Sequence, residues 1–430
     1  MVSTKLSPES QRRTILKISW RLLPLIVVSY LIAYIDRTNV AFAALTMNKD
    51  LGISAYLYGW GAGIFFLGYA LFEVPSNLIL AKVGARRWIA RIMLTWGLIS
   101  GAMAFVTGPV SFLVLRFLLG VAEAGFFPGI IFYLSIWFPA AYRARVISTL
   151  FLAVPVSNAA ASMVSGAILE LDGTLGLKGW QWIFVLEALP ALLLAFVVLR
   201  QMIDRPADAN WLGADERAWL EGELLAERRE VESLGHMSLW RALTDQRVLI
   251  LSMIYMTSVT AGYGIVFFLP QIIKALGHSN LMTGMLTAIP YTVGIIGLLW
   301  WGYSSDRRNE RRWHLIVAMI VAGIGLMGVA WLRDSYGAIV AMCVATIGLY
   351  GSRPSFWPLP TRFLTGTAAA AGIALINSLG NLGGYIGPFI VGWIKDSTKS
   401  FEMGIYFLAA CAFASAAITY FSMRDLNRAQ

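Results

Sequence analysis

Apolar segments long enough to cross a membrane recur along this chain from residue 21 to residue 423, with short polar breaks between them. A helix needs roughly 20 apolar residues to span the hydrocarbon core of a bilayer. Backbone polar groups in lipid must be satisfied within the segment, so helices are the expected structure. Charged residues make up only 13% of the chain, whereas a soluble domain carries about 25%. The sequence therefore predicts an all-α polytopic membrane protein.

Twelve transmembrane helices are predicted, arranged as two six-helix bundles. The predicted spans are residues 22–45, 56–80, 86–107, 110–133, 146–169, 181–200, 247–274, 282–303, 313–332, 337–359, 367–393 and 402–423. The N-terminal bundle then covers residues 1–203 and the C-terminal bundle covers residues 246–430. Between them, the charged segment 204–245 predicts a cytoplasmic central loop that contains a short amphipathic helix.

The distribution of Lys and Arg predicts the orientation, because cytoplasmic loops are enriched in basic residues. With the N terminus inside, only six of the 34 basic residues fall on the outer side: Lys49, Lys178, Lys274, Arg333, Lys395 and Lys399. Both termini are then cytoplasmic, and the protein is expected to lie in the inner (cytoplasmic) membrane of the cell. The net charge of +10 follows from this topology, so the lipid bilayer is the expected partner and nucleic acid is not.

Histidine and cysteine give no support to a metal site. His236, His278 and His314 lie in loops or at helix ends, far apart and without ligand spacing. Cys343 and Cys411 fall inside apolar spans, where a free cysteine behaves as a small hydrophobic residue. No cofactor is expected. An enzyme is not expected either, because no nucleophile, base and orienting group share one plausible site.

Seven charged residues are predicted to lie at membrane depth: Asp36, Arg37, Glu73, Arg116, Glu123, Glu187 and Arg353. Each costs about 2.5–3.5 kcal/mol at a helix centre and therefore needs a partner or a water-filled cavity. Asp36 and Arg37 are neighbours, about 100 degrees apart around a helix. We therefore expect them to address different partners.

Helical spacing places several polar residues on common faces. Tyr34 and Arg37 share a stripe of the first span with Tyr30. Further pairs lie four or seven residues apart: Tyr69 with Glu73, Arg116 with Glu123, and Asn377 with Asn381. Glycines also recur at a spacing of four, which favours close helix packing over a nucleotide-binding loop: Gly59 and Gly63, Gly380 and Gly384, and Gly383 and Gly387.

Two interpretations remain open for four of these charges, Asp36, Arg37, Arg116 and Glu123. They are either structural ion pairs that lock helices together, or an anion site with a proton switch. Arginine suits a carboxylate ligand because its planar fork donates two parallel hydrogen bonds and stays charged. A buried carboxylate is a natural proton carrier. When an anion binds the Arg that pairs with the carboxylate, the carboxylate loses its counter-charge and favours its protonated form.

Glu73 is predicted near the basic segment 82–91, so a structural ion pair there competes with function. Glu187 is predicted to be structural, near the aromatic outer interface, and Arg353 is a candidate third anion contact.

The segment "GYSSDRRNERR", together with six plus six helices and a charged central loop, resembles the major facilitator superfamily across nearly the whole chain. The loop motif of that family combines a Gly, an Asp four residues later and a basic cluster, and it matches Gly302, Asp306, Arg307, Arg311 and Arg312. The counterpart in the first half, "NLILAKVGARR", departs from the motif with Asn77 and Ala81.

Three further segments are similar to the anion:cation symporter family, in particular its tartrate and sugar-acid branch: "WRLLPLIVVSYLIAYIDRTNVAFA", "RFLLGVAEAGFFPG" and "GTAAAAGIALINSLGNLGGYIGP". The resemblance implies that Asp36 and Glu123 carry protons and that Arg37 and Arg116 bind and gate the anion. It also implies substrate contacts from Tyr34, Tyr69 and the segment from Asn377 to Asn381.

The expected function is proton-coupled uptake of a small organic anion such as tartrate or a sugar acid, by alternating access in a monomer. Proton-coupled efflux of a metabolite or drug is an alternative, because one fold supports several functions. A membrane sensor that binds a ligand without moving it is a second alternative.

Overall fold

The structure is a computed structural model that describes residues 6–233, 244–332, 335–360 and 366–422. In these ranges, the regular structure is helical. The helices are α1 (Pro8–Thr38), α2 (Val40–Asp50), α3 (Ala55–Val83), α4 (Ala85–Ala102), α5 (Pro109–Glu123), α6 (Phe126–Trp137), α7 (Ala140–Ile168), α8 (Gly179–Gln201), α9 (Ala214–Ser233), α10 (Gln246–Lys274), α11 (Asn280–Arg307), α12 (Arg312–Trp331), α13 (Gly337–Phe356), α14 (Gly366–Asn381), α15 (Gly383–Thr398) and α16 (Glu402–Ser422).

Within the described residues, eleven helical segments are long and apolar enough to cross a bilayer. Three of them join consecutive helices: α1 with α2, α5 with α6, and the end of α14 with α15. The tenth predicted span, 337–359, corresponds to α13, which is not among the eleven and carries Arg353 and Pro354 in its last turn. The predicted all-helical membrane fold is confirmed.

The fourth predicted span, 110–133, is not one continuous helix. Helix α5 ends at Glu123, and Gly125 adopts a left-handed conformation with φ of 86° before α6 begins at Phe126. A Cβ atom at Gly125 would also lie 2.3 Å from Oγ of Ser76, so glycine is required for both its conformation and its close contact. The break leaves Glu123 at a helix end inside the bundle.

The two halves of the chain meet where α3 contacts α15 and where α7 contacts α11. Glycines set both contacts. A Cβ atom at Gly59 would lie 2.2 Å from the carbonyl oxygen of Pro388, and one at Gly284 would lie 2.3 Å from that of Ser162. These distances confirm that the glycine spacing on α3 serves close helix packing.

Helices α3 and α11, the second span of each half, begin in the same way. Ser54 caps α3 by accepting a hydrogen bond from the N–H of Leu57 at 3.2 Å. Ser279 caps α11 by accepting one from the N–H of Met282, also at 3.2 Å. Serine at this position satisfies an N–H group that has no partner within the helix.

A carboxylate from the opposite half reaches each of these two helix ends. Asp396 on α15 accepts hydrogen bonds from the N–H groups of Ala55 and Tyr56 at 3.2 and 2.9 Å. Glu170, which follows α7, accepts one from the N–H of Leu281 at 3.1 Å. Negative charge is stabilising at a helix N terminus. We call these the two outer carboxylate contacts, because the predicted orientation puts them on the outer face.

The predicted amphipathic helix of the central loop is observed as α9. Glu216 on α9 accepts a hydrogen bond from Nζ of Lys17 on α1 at 2.8 Å, and Glu227 pairs with Arg143 on α7 at 2.9 Å. The rest of the predicted loop at residues 234–243 lies outside the described residues. Helix α9 thus contacts the first half at the ends of two of its spans.

Candidate substrate and proton site

Arg37 lies in the last turn of α1, within the first membrane span, and contacts both halves of the molecule. Its Nη2 donates a hydrogen bond to Oε1 of Glu123, which the helix break at Gly125 leaves beside it. Its Nη1 donates to the hydroxyl of Tyr263 on α10 in the second half, at 3.2 Å. The side chains of Arg37 and Glu123 are 9% and 2% exposed, so this ion pair is buried.

Aromatic rings surround the Arg37 guanidinium. Its Cζ lies 4.9 Å from the ring centroid of Tyr34, 5.2 Å from that of Phe65 and 5.4 Å from that of Tyr69. A cation close to an aromatic ring is attracted by the quadrupole of the ring. Tyr34 and Tyr69, both predicted as substrate contacts, therefore lie beside Arg37 together with Glu123.

Asp36 points away from this group, into the first half. Its carboxylate accepts hydrogen bonds from Nε1 of Trp96 at 2.9 Å and from Oγ of Ser100 at 3.0 Å, both on α4. Asp36 is 1% exposed, and no Lys, Arg or His forms an ion pair with it in the described ranges. The neighbouring Asp36 and Arg37 thus have different partners, as their angular separation predicts.

Glu187 is buried inside the first half near Asp36, and its predicted structural role stays a prediction. Its carboxylate accepts a hydrogen bond from Oγ of Ser165 at 2.6 Å, and the charge of Asp36 acts on it. Asn39 lies beside it, and neither amide atom of Asn39 has a hydrogen-bond partner in the described structure. The helix turns Glu187 inward because the opposite face of α8 carries its large exposed apolar residues.

Arg116, predicted as an anion contact, is enclosed within the first half. Its Nε donates to the carbonyl oxygen of Gly61 at 3.1 Å and its Nη2 to that of Ala62 at 3.3 Å. It is 0% exposed, and its Cζ lies 5.2 Å from the Phe65 centroid, the same distance as that of Arg37. Both arginines therefore contact one ring, but Arg116 has backbone carbonyls as partners.

Glu73 joins the two halves one turn from Tyr69. Its carboxylate accepts hydrogen bonds from Nδ2 of Asn377 at 3.0 Å and from Oγ of Ser378 at 2.9 Å, both on α14. The alternative that Glu73 pairs with the basic segment 82–91 is wrong, because α14 covers this face of α3. Asn381, the last residue of α14, is partly exposed and does not take part in these hydrogen bonds.

Further residues of this region were not predicted from the sequence. Nδ2 of Asn158 on α7 donates to the hydroxyl of Tyr350 on α13 at 2.9 Å. Phe151 on α7 stacks on Trp357 with ring centroids 6.1 Å apart. One sequence signal could have indicated Asn158: an Asn shortly after a proline within a helix occurs in "VPSN" and again in "VPVSN". These two contacts join α7 of the first half to the second half.

The loop motif lies at the junction of α11 and α12. Oδ1 of Asp306 pairs with Nη2 of Arg311 at 2.6 Å. A Cβ atom at Gly302 would lie 3.3 Å from Cβ of Pro354 on α13, so glycine keeps these helices close. Arg307 is exposed at the end of α11. The motif therefore connects helix ends within the second half, away from Arg37.

Comparison with known proteins gives consistent matches over nearly the whole chain. Residues 26–388 match the model of the Major Facilitator Superfamily. The chain is 49% identical to a "Putative tartrate transporter" of Agrobacterium vitis, over 97% of this chain and 93% of that protein. It is 44% identical to a "Quinolone resistance transporter" of Acinetobacter baumannii, over 97% and 96%.

The fold is similar to that of a solved transporter. The crystal structure of a bacterial homologue of the human lysosomal transporter Spinster, inward-facing and unoccupied, matches with a TM-score of 0.77 and 16% sequence identity. The match covers 97% of this chain and 98% of that one. Membership of this transporter family confirms the prediction that the chain is not an enzyme. The chain belongs to the Major Facilitator Superfamily and is a multi-pass membrane protein of the secondary-transporter class.

Proposed function

We propose that this transporter takes up small organic anions, tartrate or a sugar acid, in symport with protons. The observation that carries the proposal is Arg37, a buried cation that is held by Glu123 from one half and Tyr263 from the other. Relatives named for tartrate transport support the choice of substrate. The transporter acts as a monomer in the inner membrane, with both termini in the cytoplasm.

Substrate binding in this proposal exchanges one carboxylate for another. The carboxylate of the substrate takes the Arg37 guanidinium from Glu123, and a charge-assisted hydrogen bond of this kind contributes about 1.5–3 kcal/mol. Glu123 is 1% exposed, so without its counter-charge it favours the neutral form and takes up a proton. Anion and proton then occupy the site together.

Asp36 is the second proton carrier in the proposal. It has two neutral hydrogen-bond donors, Trp96 and Ser100, and the charge of Glu123 acts on it. Two carboxylates that repel each other through a low-dielectric interior favour the loss of one charge to a proton. A change in the charge of Glu123 therefore alters proton binding at Asp36, although the two carboxylates have different hydrogen-bond partners.

Alternating access requires the two bundles, residues 1–203 and 246–430, to rock about this site. The outer carboxylate contacts of Asp396 and Glu170 join the halves on one side of Arg37. Glu73 joins them on the other side through Asn377 and Ser378. Opening towards either face therefore breaks a small set of polar contacts and separates glycine-lined helices. Arg116 supports the site by holding the Gly61–Ala62 carbonyls of α3.

Efflux is the second candidate function. It is favoured by the relative from Acinetobacter baumannii that is named a quinolone resistance transporter. Buried arginines at the centre argue for an anionic cargo in either direction, because a cationic drug would be repelled. The direction of proton-driven movement separates the two candidates.

The test is transport by the purified protein in liposomes. Labelled tartrate and a panel of sugar acids are offered with and without an inward proton gradient, to the wild type and to Asp36→Asn. We expect the gradient to drive accumulation by the wild type, and Asp36→Asn to retain exchange without accumulation. If no acid accumulates while a gradient drives export of other compounds, uptake is wrong and efflux replaces it.

A further inference from the structure

Arg353 is a cation of the second half and lies in the last turn of α13. Its Nη1 donates to the hydroxyl of Tyr255 at 3.3 Å, and its Cζ lies 5.6 Å from the Tyr255 centroid. Its Nε is buried and has no hydrogen-bond partner in the described ranges. There, no Asp or Glu lies within ion-pair distance of it. Arg353 is only partly exposed, and an arginine within a membrane-spanning helix normally has a partner of opposite charge or faces a water-filled cavity.

Arg353 and Arg37 each donate a hydrogen bond to a tyrosine of the same helix, α10. Tyr34 lies beside Arg37 and Tyr263 accepts a hydrogen bond from it. The same two tyrosines also interact electrostatically with Arg353. Tyr255, the hydrogen-bond partner of Arg353, lies eight residues before Tyr263 on α10, so arginines from opposite halves of the molecule contact the same helix. Arg37 has a carboxylate partner in this arrangement, and Arg353 does not.

The position of Arg353 is fixed by close packing around Tyr255. A Cβ atom at Gly380 would lie 1.9 Å from Cδ1 of Tyr255, so only glycine leaves room for this ring. Tyr255 stacks on Phe356 with centroids 5.1 Å apart and meets the edge of Trp357 at 5.1 Å. A ring held on several sides gives the guanidinium a defined hydrogen-bond partner.

We propose that Arg353 is the second anion anchor of the site and selects dicarboxylates over monocarboxylates. One substrate carboxylate pairs with Arg37 and the other with Arg353, while hydroxyls on the intervening carbons meet Tyr34 and Tyr263. This inference rests on the proposed function and makes it more specific, because a sugar acid with a single carboxylate leaves Arg353 unpaired. A dicarboxylate also ties the two halves together, which favours the closed state.

The test compares two acids of equal length. Tartrate has two carboxylates on a four-carbon chain, and threonate has one carboxylate and an alcohol at the other end. Their affinities are measured by competition in counterflow for the wild type, Arg353→Gln and Arg353→Lys. We expect Arg353→Gln to weaken tartrate binding about tenfold or more and to leave threonate binding within about threefold. Arg353→Lys retains the charge and should fall between.

Two controls keep the result interpretable. Arg308→Gln removes an exposed arginine at the end of α11 and should change neither affinity. Thermal melting without substrate shows whether Arg353→Gln is folded. Tyr255→Phe provides a second variant, because it removes the hydroxyl that accepts the hydrogen bond from Arg353 but keeps the arginine. Tyr255→Phe should weaken tartrate binding more than threonate binding.

The outcomes separate this inference from the proposed function. If both acids lose affinity equally in Arg353→Gln, or neither does, Arg353 is structural and the inference is wrong, while anion transport stands. If the wild type exchanges neither acid, the proposed function fails and the inference fails with it. Selective loss of tartrate supports both.

Discussion

Arg37 and Glu123 form a buried ion pair inside the first half, and Tyr263 of the second half holds the same guanidinium. The pair therefore sits where a change in one charge alters a contact between the halves. Breaking a buried pair by removing one partner costs about 3–5 kcal/mol, because the other charge stays buried and uncompensated.

Glu123→Gln should abolish proton-driven accumulation while retaining exchange of the anion across the membrane. The amide cannot take up or release a proton, but Arg37 remains free to bind a carboxylate. Gradient-driven uptake and counterflow, measured on the same liposomes, separate the two activities. Glu123→Asp is the matched control and should keep part of the accumulation. Wild-type accumulation by Glu123→Gln would show that Glu123 does not carry the proton.

Arg116→Lys should lose most uptake although the positive charge is retained. The planar guanidinium of Arg116 donates to two successive carbonyls, those of Gly61 and Ala62, and a single ammonium does not match this geometry. Initial uptake rates together with thermal melting of the purified variant provide the measurement. Near-normal uptake by the lysine variant would exclude a role for the forked geometry.

Removing both outer carboxylate contacts should open that face of the molecule. The double variant Asp396→Ala and Glu170→Ala loses two interactions with helix N termini, each contributing about 0.3–1 kcal/mol. Opening is measured as the rate of maleimide labelling of the variant Thr287→Cys, because Thr287 is buried on α11. The two native cysteines, Cys343 and Cys411, are first replaced by serine. We expect labelling several times faster.

Asp172→Ala is the control for this experiment. Asp172 also accepts a backbone hydrogen bond, from the N–H of Gly179 at 2.7 Å, but within the first half. Its removal should leave the labelling rate unchanged. Equal rates for the double variant and the wild type would mean that the two contacts do not hold this face closed.

Gly59→Ala should destabilise the contact between α3 and α15. The added Cβ would lie 2.2 Å from the carbonyl oxygen of Pro388, and overpacking of this kind costs about 1–3 kcal/mol. Gly262→Ala is the matched control, because nothing lies within 4 Å of a Cβ atom there. A helical glycine with free space gains about 0.5–1 kcal/mol on replacement by alanine. Melting temperatures that shift alike in both variants would contradict the close contact.

Glu216 on α9 should make a pH-dependent contribution to stability. Partial burial raises its pKa, but hydrogen bonds from Lys17 and the N–H of Gly213 outweigh burial and hold the pKa below its usual range. Such a carboxylate stabilises the fold above its unfolded pKa of about 4.3, and this contribution is lost as pH falls through the lower folded value.

The substitution Glu216→Gln tests this contribution. The partly exposed pair with Lys17 contributes about 0.2–1 kcal/mol, so we expect a small fall in melting temperature at pH 7. The difference from the wild type should disappear in acid below the folded pKa, where Glu216 is itself neutral. A difference that is equally large in acid would assign the effect to packing. Glu9→Gln removes an exposed pair with Arg13 and is the control.

The positions of the spans followed from the sequence because apolar length is a local property. Predicted span 247–274 corresponds to α10 (Gln246–Lys274), and predicted span 181–200 to α8 (Gly179–Gln201). The pairs of glycines four residues apart, such as Gly59 and Gly63, were equally apparent in the sequence. The break at Gly125 was not, because one glycine in a left-handed conformation changes neither the apolar length nor the helical period of the segment.

The sequence by itself determined the membrane class, the helical spans and the membrane-depth charges, because each depends on composition and helical period alone. It also showed that Asp36 and Arg37 diverge. Only the tertiary structure decided which partner each charge takes: Arg37 with Tyr263, and Glu73 with Asn377 rather than the nearby basic segment. These partners lie in opposite halves of the chain, and helical period carries no information about which faces of two distant helices meet.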